Sequence, residues 1–164
     1  MIVNSTKLLE KAPIKNMLPD KHSEHGVTYG LSEAGFDIRI KQDVRFKKLF
    51  GLIPMVKVGK SRWKLGRFTL ASAIEEFDMP ANLVGVAHDK STWARQGLSV
   101  FNTVIEPGFI GGLTLELVYH RGGDLFSPAG AGIAQVLFHS LANEARYAGK
   151  YQFQSSDPEP ARES

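Results

Sequence analysis

Short apolar runs typical of β-strands fill most of the chain from residue 35 onward. Glycine and proline stand in nearly every gap between them, as in "EPGFIGG", "HRGGD" and "SPAGAG", which indicates turns. The runs are "FDIRI", "VRFKKLFGLIPMVKV", "RFTLASAI", "LVGVAH", "LSVFNTVI", "LTLELVYH" and "GIAQVLFH". Many short strands joined by such turns predict an all-β sandwich or barrel.

Two short segments have helical character instead. Residues 4–12, "NSTKLLEKA", carry hydroxyl caps followed by a leucine pair and predict a short N-terminal helix. Residues 91–96, "STWARQ", predict a helical turn in which Ser91 is the N-cap and Arg95 lies on the same face one turn later. This turn belongs to the polar stretch "HDKSTWARQGL" between two apolar runs. Such a stretch is either an ordinary helix cap with surface charges or a binding site.

The chain has the length of one domain. Its 164 residues are enough to bury a core, and we expect residues 1–154 to form a single domain. The final segment, residues 155–164, reads "SSDPEPARES" and has almost nothing to bury. We therefore predict that this tail is disordered.

Composition limits the classes of function. The formal net charge of +3 is too small to indicate DNA binding by itself, and we expect no nucleic-acid partner. A basic run between Lys57 and Arg67 is typical of a solvated face, although it could contact phosphate. The absence of cysteine excludes disulfides, thiol catalysis and cysteine-bound zinc. No apolar run has the length of a membrane helix, so we expect a soluble, cytoplasmic protein without a membrane partner.

Glu116 is a candidate for acid–base chemistry. Alternation along "LTLELVYH" places Leu113, Leu115 and Leu117 on one face of a strand and Thr114 and Glu116 on the other. The carboxylate is thus directed away from the apolar face, toward either water or a cavity. Read alone, it is either a solvated glutamate or a group that moves protons.

Two further segments have both a structural and a functional interpretation. In "NTVIEPGFIGG", residues Glu106–Gly108 form a tight turn, and Gly111 and Gly112 leave the backbone open to close approach by a ligand. Read alone, this segment is a common hairpin connection, so the structural interpretation is favoured. The segment 147–154, "YAGKYQFQ", could clamp a phosphate and stack on a flat ring, or it could be a docked C-terminal strand.

The order of these motifs is more specific than any of them alone. The chain presents "AGFDIRI", "DKSTWARQGL", "TVIEPGFIGGLTLEL", "AGAGIAQVLF" and "YAGKYQFQ" in that order. Over roughly residues 30–154 this resembles the dCTP deaminase branch of the dUTPase-like superfamily. The resemblance implies a distorted jelly-roll or β-barrel that assembles as a homotrimer, with nucleotide sites shared between subunits.

The resemblance also implies roles for particular residues. Glu116 matches the catalytic glutamate, while Ser91 and Arg95 contact the attacking water and that carboxylate. The resemblance places Thr103 in the loop beside the attacking water. It assigns nucleotide contacts to Lys90, Thr92, Glu106, Gln135, Tyr147, Lys150 and Gln154. Of these, Lys90 and Thr92 face phosphate, and Glu106 meets the sugar.

Four positions depart from the pattern of the family. Lys90 stands where arginine is usual, Glu106 replaces an aspartate, and Trp93 replaces a small apolar residue. The stretch 97–106 is about two residues short, just after Thr103, where a backbone carbonyl helps to hold the water. None of these changes removes a catalytic side chain, but the shorter loop affects the part of the site that faces the base.

The implied activity is deamination of dCTP to dUTP and ammonia without a catalytic metal. Mg²⁺ would sit on the triphosphate, no zinc is implied, and dTTP is a candidate regulator. The alternatives are a bifunctional enzyme that converts dCTP to dUMP, and a dUTPase. Both require Glu106 to act on the triphosphate. A catalytically silent nucleotide-binding regulator is a further alternative, against which the retained Glu116 and Arg95 argue.

Overall fold

Residues 1–163, which this computed structural model describes, form 14 strands and two short helices. The helices are α1 (Ser5–Lys11) and α2 (Ser91–Ala94). The strands are β1 (Ile2–Val3), β2 (Lys21–Glu24), β3 (Val27–Leu31), β4 (Phe36–Arg39), β5 (Val44–Leu49), β6 (Ile53–Val58), β7 (Lys64–Leu65), β8 (Phe68–Asp78), β9 (Leu83–Asp89), β10 (Leu98–Val100), β11 (Val104–Ile105), β12 (Ile110–Tyr119), β13 (Leu125–Ser127) and β14 (Gly132–Ser140). The prediction of an all-β fold is confirmed.

The strands form three sheets whose pairings between named strands are all antiparallel. The largest sheet has the order β11-β9-β14-β4-β3-β2, with β1 also paired to β14. The second sheet is β10-β12-β8, and the third is β13-β5-β6-β7. The last strand along the chain, β14, therefore lies in the interior of the largest sheet.

Alternating side chains from these sheets fill one hydrophobic core. Phe36, Phe77 and Phe138 are among its largest fully buried members and come from β4, β8 and β14. Within β12, Leu115 and Leu117 are completely buried, while their neighbour Glu116 is only half-buried. The period of two in the sequence thus decides which face of each strand enters the core.

The seven apolar runs all contain strands, and the predicted helices are present. The structure adds β2 and β3, which precede residue 35 and which the sequence pattern missed. All four residues of β2, "KHSE", are exposed, so this edge strand has no apolar pattern to reveal it. The prediction that Ser91 is the N-cap of α2 is wrong by one residue. Lys90 is the N-cap, because its carbonyl already accepts the backbone N–H groups of Trp93 and Ala94.

The C-terminal segment, for which the sequence predicts disorder, makes polar contacts with the body of the protein, and its disorder in solution stays a prediction. Residues 155–163 run along the body of the protein, whereas Ser164 lies outside the described residues. Lys41 Nζ donates to the Ser156 carbonyl at 2.9 Å, and the Ser72 hydroxyl donates to that same oxygen at 2.9 Å. Polar contacts hold the segment, and its lack of apolar residues gives no indication of such contacts.

In the described part of the chain, neither helix has the length and apolar character needed to cross a membrane.

Candidate active site

Glu116 projects from the middle of β12 into a cavity. Its side chain alternates with the buried Leu115 and Leu117, as the sequence pattern predicts. The backbone on both sides is fixed, since Glu116 pairs with Leu70 of β8 and its carbonyl accepts the N–H of Phe101 at 2.9 Å. Burial raises the pKa of the Glu116 carboxyl above its ordinary value, and a backbone hydrogen bond opposes part of that rise.

The cavity measures about 630 Å³ and combines apolar walls with a few polar groups. That size and character are typical of a small-molecule site. Five residues predicted to belong to the site line it: Thr103, Glu106, Glu116, Tyr147 and Gln154. The apolar part of the wall includes Phe68, Leu70, Ile105, Phe109 and Leu113. One half of the predicted site is thus assembled within a single chain.

The loop before β12 supplies two of these polar groups. The Glu106 side chain is exposed and reaches the cavity from the turn ahead of Phe109, whose N–H donates to the Glu106 carbonyl at 3.1 Å. The Thr103 carbonyl accepts the N–H of Ala87 at 3.0 Å. A carbonyl oxygen has two lone pairs, so this contact leaves one available for a water molecule.

Residues 147–154 form the rim of the cavity. The Tyr147 N–H donates to the Pro107 carbonyl at 2.7 Å, and the Gln154 side chain donates to Thr114 Oγ1. The segment is a series of turns and not the docked strand that its composition favours, apart from one bridge between Gly111 and Gln154. Lys150 is exposed and donates to the Arg162 carbonyl at 2.7 Å instead of reaching the cavity.

The glycines at the start of β12 make room for this rim. A Cβ atom at Gly111 would lie 2.7 Å from the Gln154 carbonyl oxygen, and one at Gly112 would lie 2.4 Å from the Ser155 oxygen. The close approach predicted for this glycine pair is therefore made in the structure by the C-terminal segment of the chain itself, which favours the structural interpretation of the pair.

Glu159 is a cavity residue that sequence reasoning missed. It lines the cavity together with Pro160 and Ala161. Its backbone N–H donates to Thr114 Oγ1 at 3.1 Å, and its carboxylate accepts from Arg162 Nε at 2.8 Å. Hydrogen bonds from the Ser155 backbone and from Arg162 lower the pKa of the Glu159 carboxyl. Its polar, proline-bearing surroundings in the sequence gave no signal of this placement.

The residues of the α2 turn lie elsewhere. Ser91, Thr92 and Arg95 are all exposed, and none of them lines the cavity. Within residues 1–163, Arg95 forms no ion pair with a carboxylate, Glu116 included. A single chain therefore separates the predicted catalytic glutamate from its predicted cation.

Buried contacts attach this turn to the largest sheet. The Trp93 indole N–H donates to the Gly132 carbonyl at 2.7 Å, and the ring is buried. Lys90 forms an ion pair with the buried Asp37, which also accepts from the Thr28 hydroxyl at 3.1 Å. Asp37 stands in the "AGFDIRI" motif, and no role was predicted for it from the sequence.

Gln135 lies in the same region, on β14. Its side-chain amide donates to the Ser32 hydroxyl at 3.0 Å, and its backbone is paired with both Asp37 and His88. Lys90, Thr92 and Gln135 thus belong with the α2 side of the protein, and Thr103, Glu106, Tyr147 and Gln154 with the cavity.

The comparison with protein families matches residues 58–141 to the model described as dCTP deaminase-like. These residues include both halves of the predicted site, from Lys90 to Gln135, but not the rim segment 147–154. The dCTP deaminase of Campylobacter curvus is 34% identical over 162 residues, which cover 88% of this chain and 87% of that protein.

Solved structures show the same fold. The 2'-deoxycytidine 5'-triphosphate deaminase from Agrobacterium tumefaciens superposes with a TM-score of 0.56 and 16% identity, over 84% of this chain and 47% of that chain. The dUTPase of EIAV superposes with a TM-score of 0.52 and 16% identity, over 79% of this chain and 90% of that chain. The expected jelly-roll fold of the dUTPase type is confirmed.

Proposed function

Because this chain belongs to the dCTP deaminase family, we propose that it hydrolyses the cytosine amino group of dCTP to give dUTP and ammonia. The observation that carries the proposal is the position of Glu116. It is a half-buried carboxylate with a raised pKa, in the wall of a cavity large enough for a nucleotide base and sugar.

Deamination requires water to add to C4 of cytosine and the amino group to leave as ammonia. Glu116 accepts one proton from the attacking water and delivers it to N3. It then carries the second water proton to the amino group, so that the water oxygen remains on C4. Burial raises the pKa of the Glu116 carboxyl, and a carboxyl that holds its proton more tightly is a better acceptor of the proton from the attacking water.

The remaining catalytic groups come from a neighbouring subunit of a homotrimer. Ser91 and Arg95 match the family motif, but they lie on the exposed α2 turn and outside the cavity of their own chain. Assembly around a threefold axis would bring the α2 turn of one subunit to the cavity of the next. Arg95 would then stabilise the ionised Glu116, and Ser91 would orient the water.

The triphosphate would bind where the two subunits meet. Lys90 and Thr92 approach from the α2 side, and Tyr147, Lys150 and Gln154 from the rim of the cavity. In the structure Lys150 contacts the Arg162 carbonyl, so it must leave that contact to reach a phosphate. Tyr147 and Tyr151 pack against the core, so the part of this segment that moves to close over a bound nucleotide would be the exposed turn at Lys150.

Mg²⁺ would enter with the nucleotide. No group of three or more carboxylate, imidazole or thiolate side chains within residues 1–163 is arranged to hold a metal ion. The donors present fit an ion carried mainly by phosphate oxygens, where it neutralises the charge of the triphosphate. A cytoplasmic location and regulation by dTTP remain predictions.

Glu106 supports a second candidate function. It lines the same cavity as Glu116, so one site could both deaminate dCTP and cleave the triphosphate. Separate incubations with dCTP and with dUTP, each with Mg²⁺ and followed by anion-exchange separation, distinguish the candidates. Equal amounts of dUTP and ammonia are the expected products from dCTP, with dUTP left intact in the second incubation. Accumulation of dUMP from dCTP would show the bifunctional enzyme, hydrolysis of dUTP with dCTP unchanged would show a dUTPase, and unchanged dCTP would overturn the proposal.

A further inference from the structure

The positive charge of the chain is concentrated in one sheet. Residues 44–67, which contain β5, β6 and β7, hold eight of the 20 Lys and Arg residues and none of the 17 Asp and Glu residues. The rest of the chain has 12 basic and 17 acidic residues and is therefore acidic overall. The modest net charge of the whole chain conceals this separation.

The cations of this sheet have no carboxylate partners within residues 1–163. None of the eight forms an ion pair, whereas seven of the 12 cations elsewhere in the chain do. Their charge is therefore not neutralised within the chain and acts on whatever approaches this surface.

The face of the sheet that points to solvent is apolar as well as basic. Strand register places Arg45 opposite Lys57, Lys47 opposite Met55, and Met55 opposite Leu65. The opposite face is core, with Val44, Phe46 and Val56 buried. An antiparallel sheet with one buried face ordinarily exposes polar residues on the other. Here Leu65 is 72% exposed in a setting without acidic residues.

The turn between β5 and β6 extends the apolar surface to a tip. Phe50 and Leu52 are 87% and 80% exposed, and no packing within the chain accounts for them. Phe50 also has a positive φ of 52°, a conformation that a bulky side chain rarely adopts. We define the basic face as the outward residues of β5, β6 and β7, the turn between β6 and β7 that carries Lys60, and this tip.

We propose that the basic face is a docking surface for the anionic surface of a phospholipid bilayer. The apolar tip would enter the boundary between headgroups and acyl chains, and the cations behind it would lie at the level of the anionic headgroups. A bilayer deforms around a projecting tip, whereas a protein partner must present a matching groove. The expectation of no membrane partner rests on the lack of a spanning segment, which a surface contact does not need.

Two other occupants are outcomes of the test below. Nucleic-acid platforms of this kind stack successive bases on several free aromatic rings. Here the Arg45 guanidinium covers the Phe126 ring at 3.9 Å and Lys47 Nζ lies 4.1 Å from the centre of the Trp63 ring, whereas Phe50 at the tip is free. In the proposed threefold assembly a neighbouring subunit would meet this face with a different part of its own surface, and the oligomeric state of the tip variant tests that alternative.

The test is co-sedimentation of the full chain with vesicles of phosphatidylcholine alone and of phosphatidylcholine mixed with phosphatidylglycerol. Lys57→Glu/Lys60→Glu reverses two charges in this sheet. Lys7→Glu/Lys11→Glu makes the same net change on α1 and is the matched control. Phe50→Asn/Leu52→Ser removes the apolar tip, and asparagine suits the positive φ at residue 50.

Wild type should bind the vesicles that contain phosphatidylglycerol and not the neutral ones. Lys57→Glu/Lys60→Glu and the tip variant should each lose at least about tenfold in affinity, and the control less than about twofold. Turnover and oligomeric state without vesicles should be unchanged in all variants. The proposal fails if wild type does not bind, if the tip variant binds equally well, if single-stranded DNA binds in place of vesicles, or if the tip variant alters the oligomeric state.

Discussion

Two glutamates on neighbouring strands are both partly removed from water, yet their surroundings are opposite. Glu75 on β8 is buried and accepts from Arg39 twice, at 2.8 Å from the side-chain Nε and at 2.8 Å from the backbone N–H. Glu116 on β12 is half-buried and forms no ion pair with any cation of residues 1–163. Burial raises the pKa of both carboxyls, and the contacts with Arg39 oppose that rise only for Glu75.

The difference matches the roles that we propose, a structural one for Glu75 and a catalytic one for Glu116. Both carboxylate oxygens of Glu75 accept a hydrogen bond from Arg39, so the charge of Glu75 is compensated within its own chain. A carboxylate in a cavity, without such a partner, retains positions for water and substrate. We infer that the cation missing beside Glu116 is Arg95 of a neighbouring subunit.

The largest expected effect is on turnover in Glu116→Gln. The amide keeps the shape of the side chain but cannot accept a proton, so deamination of dCTP should fall by about 10³-fold or more. Binding of dCTP, measured by calorimetry, should change little. Glu106→Gln is the matched control in the same cavity and should retain deamination. Substantial turnover in Glu116→Gln would show that another group moves the protons.

Subunit mixing tests where the cation comes from. Arg95→Ala and Glu116→Gln should each be inactive as pure trimers. If the two residues act from different subunits, trimers reassembled from an equal mixture contain intact sites and should recover about a quarter of wild-type activity. Each variant dissociated and reassembled on its own is the control, and it should stay inactive. No recovery would place both residues in one subunit.

Glu75→Ala should affect stability and not chemistry. It leaves Arg39 without its carboxylate, which should lower the free energy of unfolding by about 3 kcal/mol and the Tm by roughly 6–12 °C. Turnover per folded molecule should remain near that of wild type. The double variant Arg39→Met/Glu75→Met removes both charges and should regain most of the stability. Loss of turnover in folded Glu75→Ala would contradict the structural role.

The smallest expected effect is the pH dependence of stability that Glu116 causes. Its raised pKa means that the folded protein holds this proton more tightly than the unfolded chain does, so stability falls as pH rises through the folded-state pKa. At neutral pH, Glu116→Gln should therefore melt higher than wild type, by about 2 °C or less. The difference should vanish below the ordinary pKa of a glutamate. When both proteins also carry Arg95→Ala, the difference in Tm between Glu and Gln at residue 116 should grow, because the ionised Glu116 has then lost its proposed cation. An unchanged difference in Tm would mean that Arg95 does not approach Glu116.

The sequence pattern predicts those strands that have one apolar and one polar face. It does not predict strands whose two faces are alike. The alternation in β12 correctly separated Leu115 from Glu116, since one face enters the core and the other the cavity. Edge strand β2 is exposed throughout and has no such contrast. The short strands β1, β7 and β13 contain only two or three residues each, too few to establish a period.

The motifs predicted the candidate site residues, whose roles stay predictions, but they did not predict that a single chain holds these residues in two separate regions. Five of the predicted residues line one cavity, and the resemblance to the family named them before any geometry was known. Asp37 and Glu159 were missed because their roles depend on contacts with residues distant in the sequence, Lys90 and Thr114. No local pattern encodes such contacts.

The central position of β14 has a consequence for how the protein is made on the ribosome. Residues 132–140 are translated late, yet they lie between β9 and β4 and join the two parts of the largest sheet. Until they leave the exit tunnel, β4 and β9 have no common neighbour and expose unpaired edges. The nascent chain must therefore remain soluble without its complete main sheet until β14 emerges, and this sheet forms slowly, as is typical of pairings between distant segments.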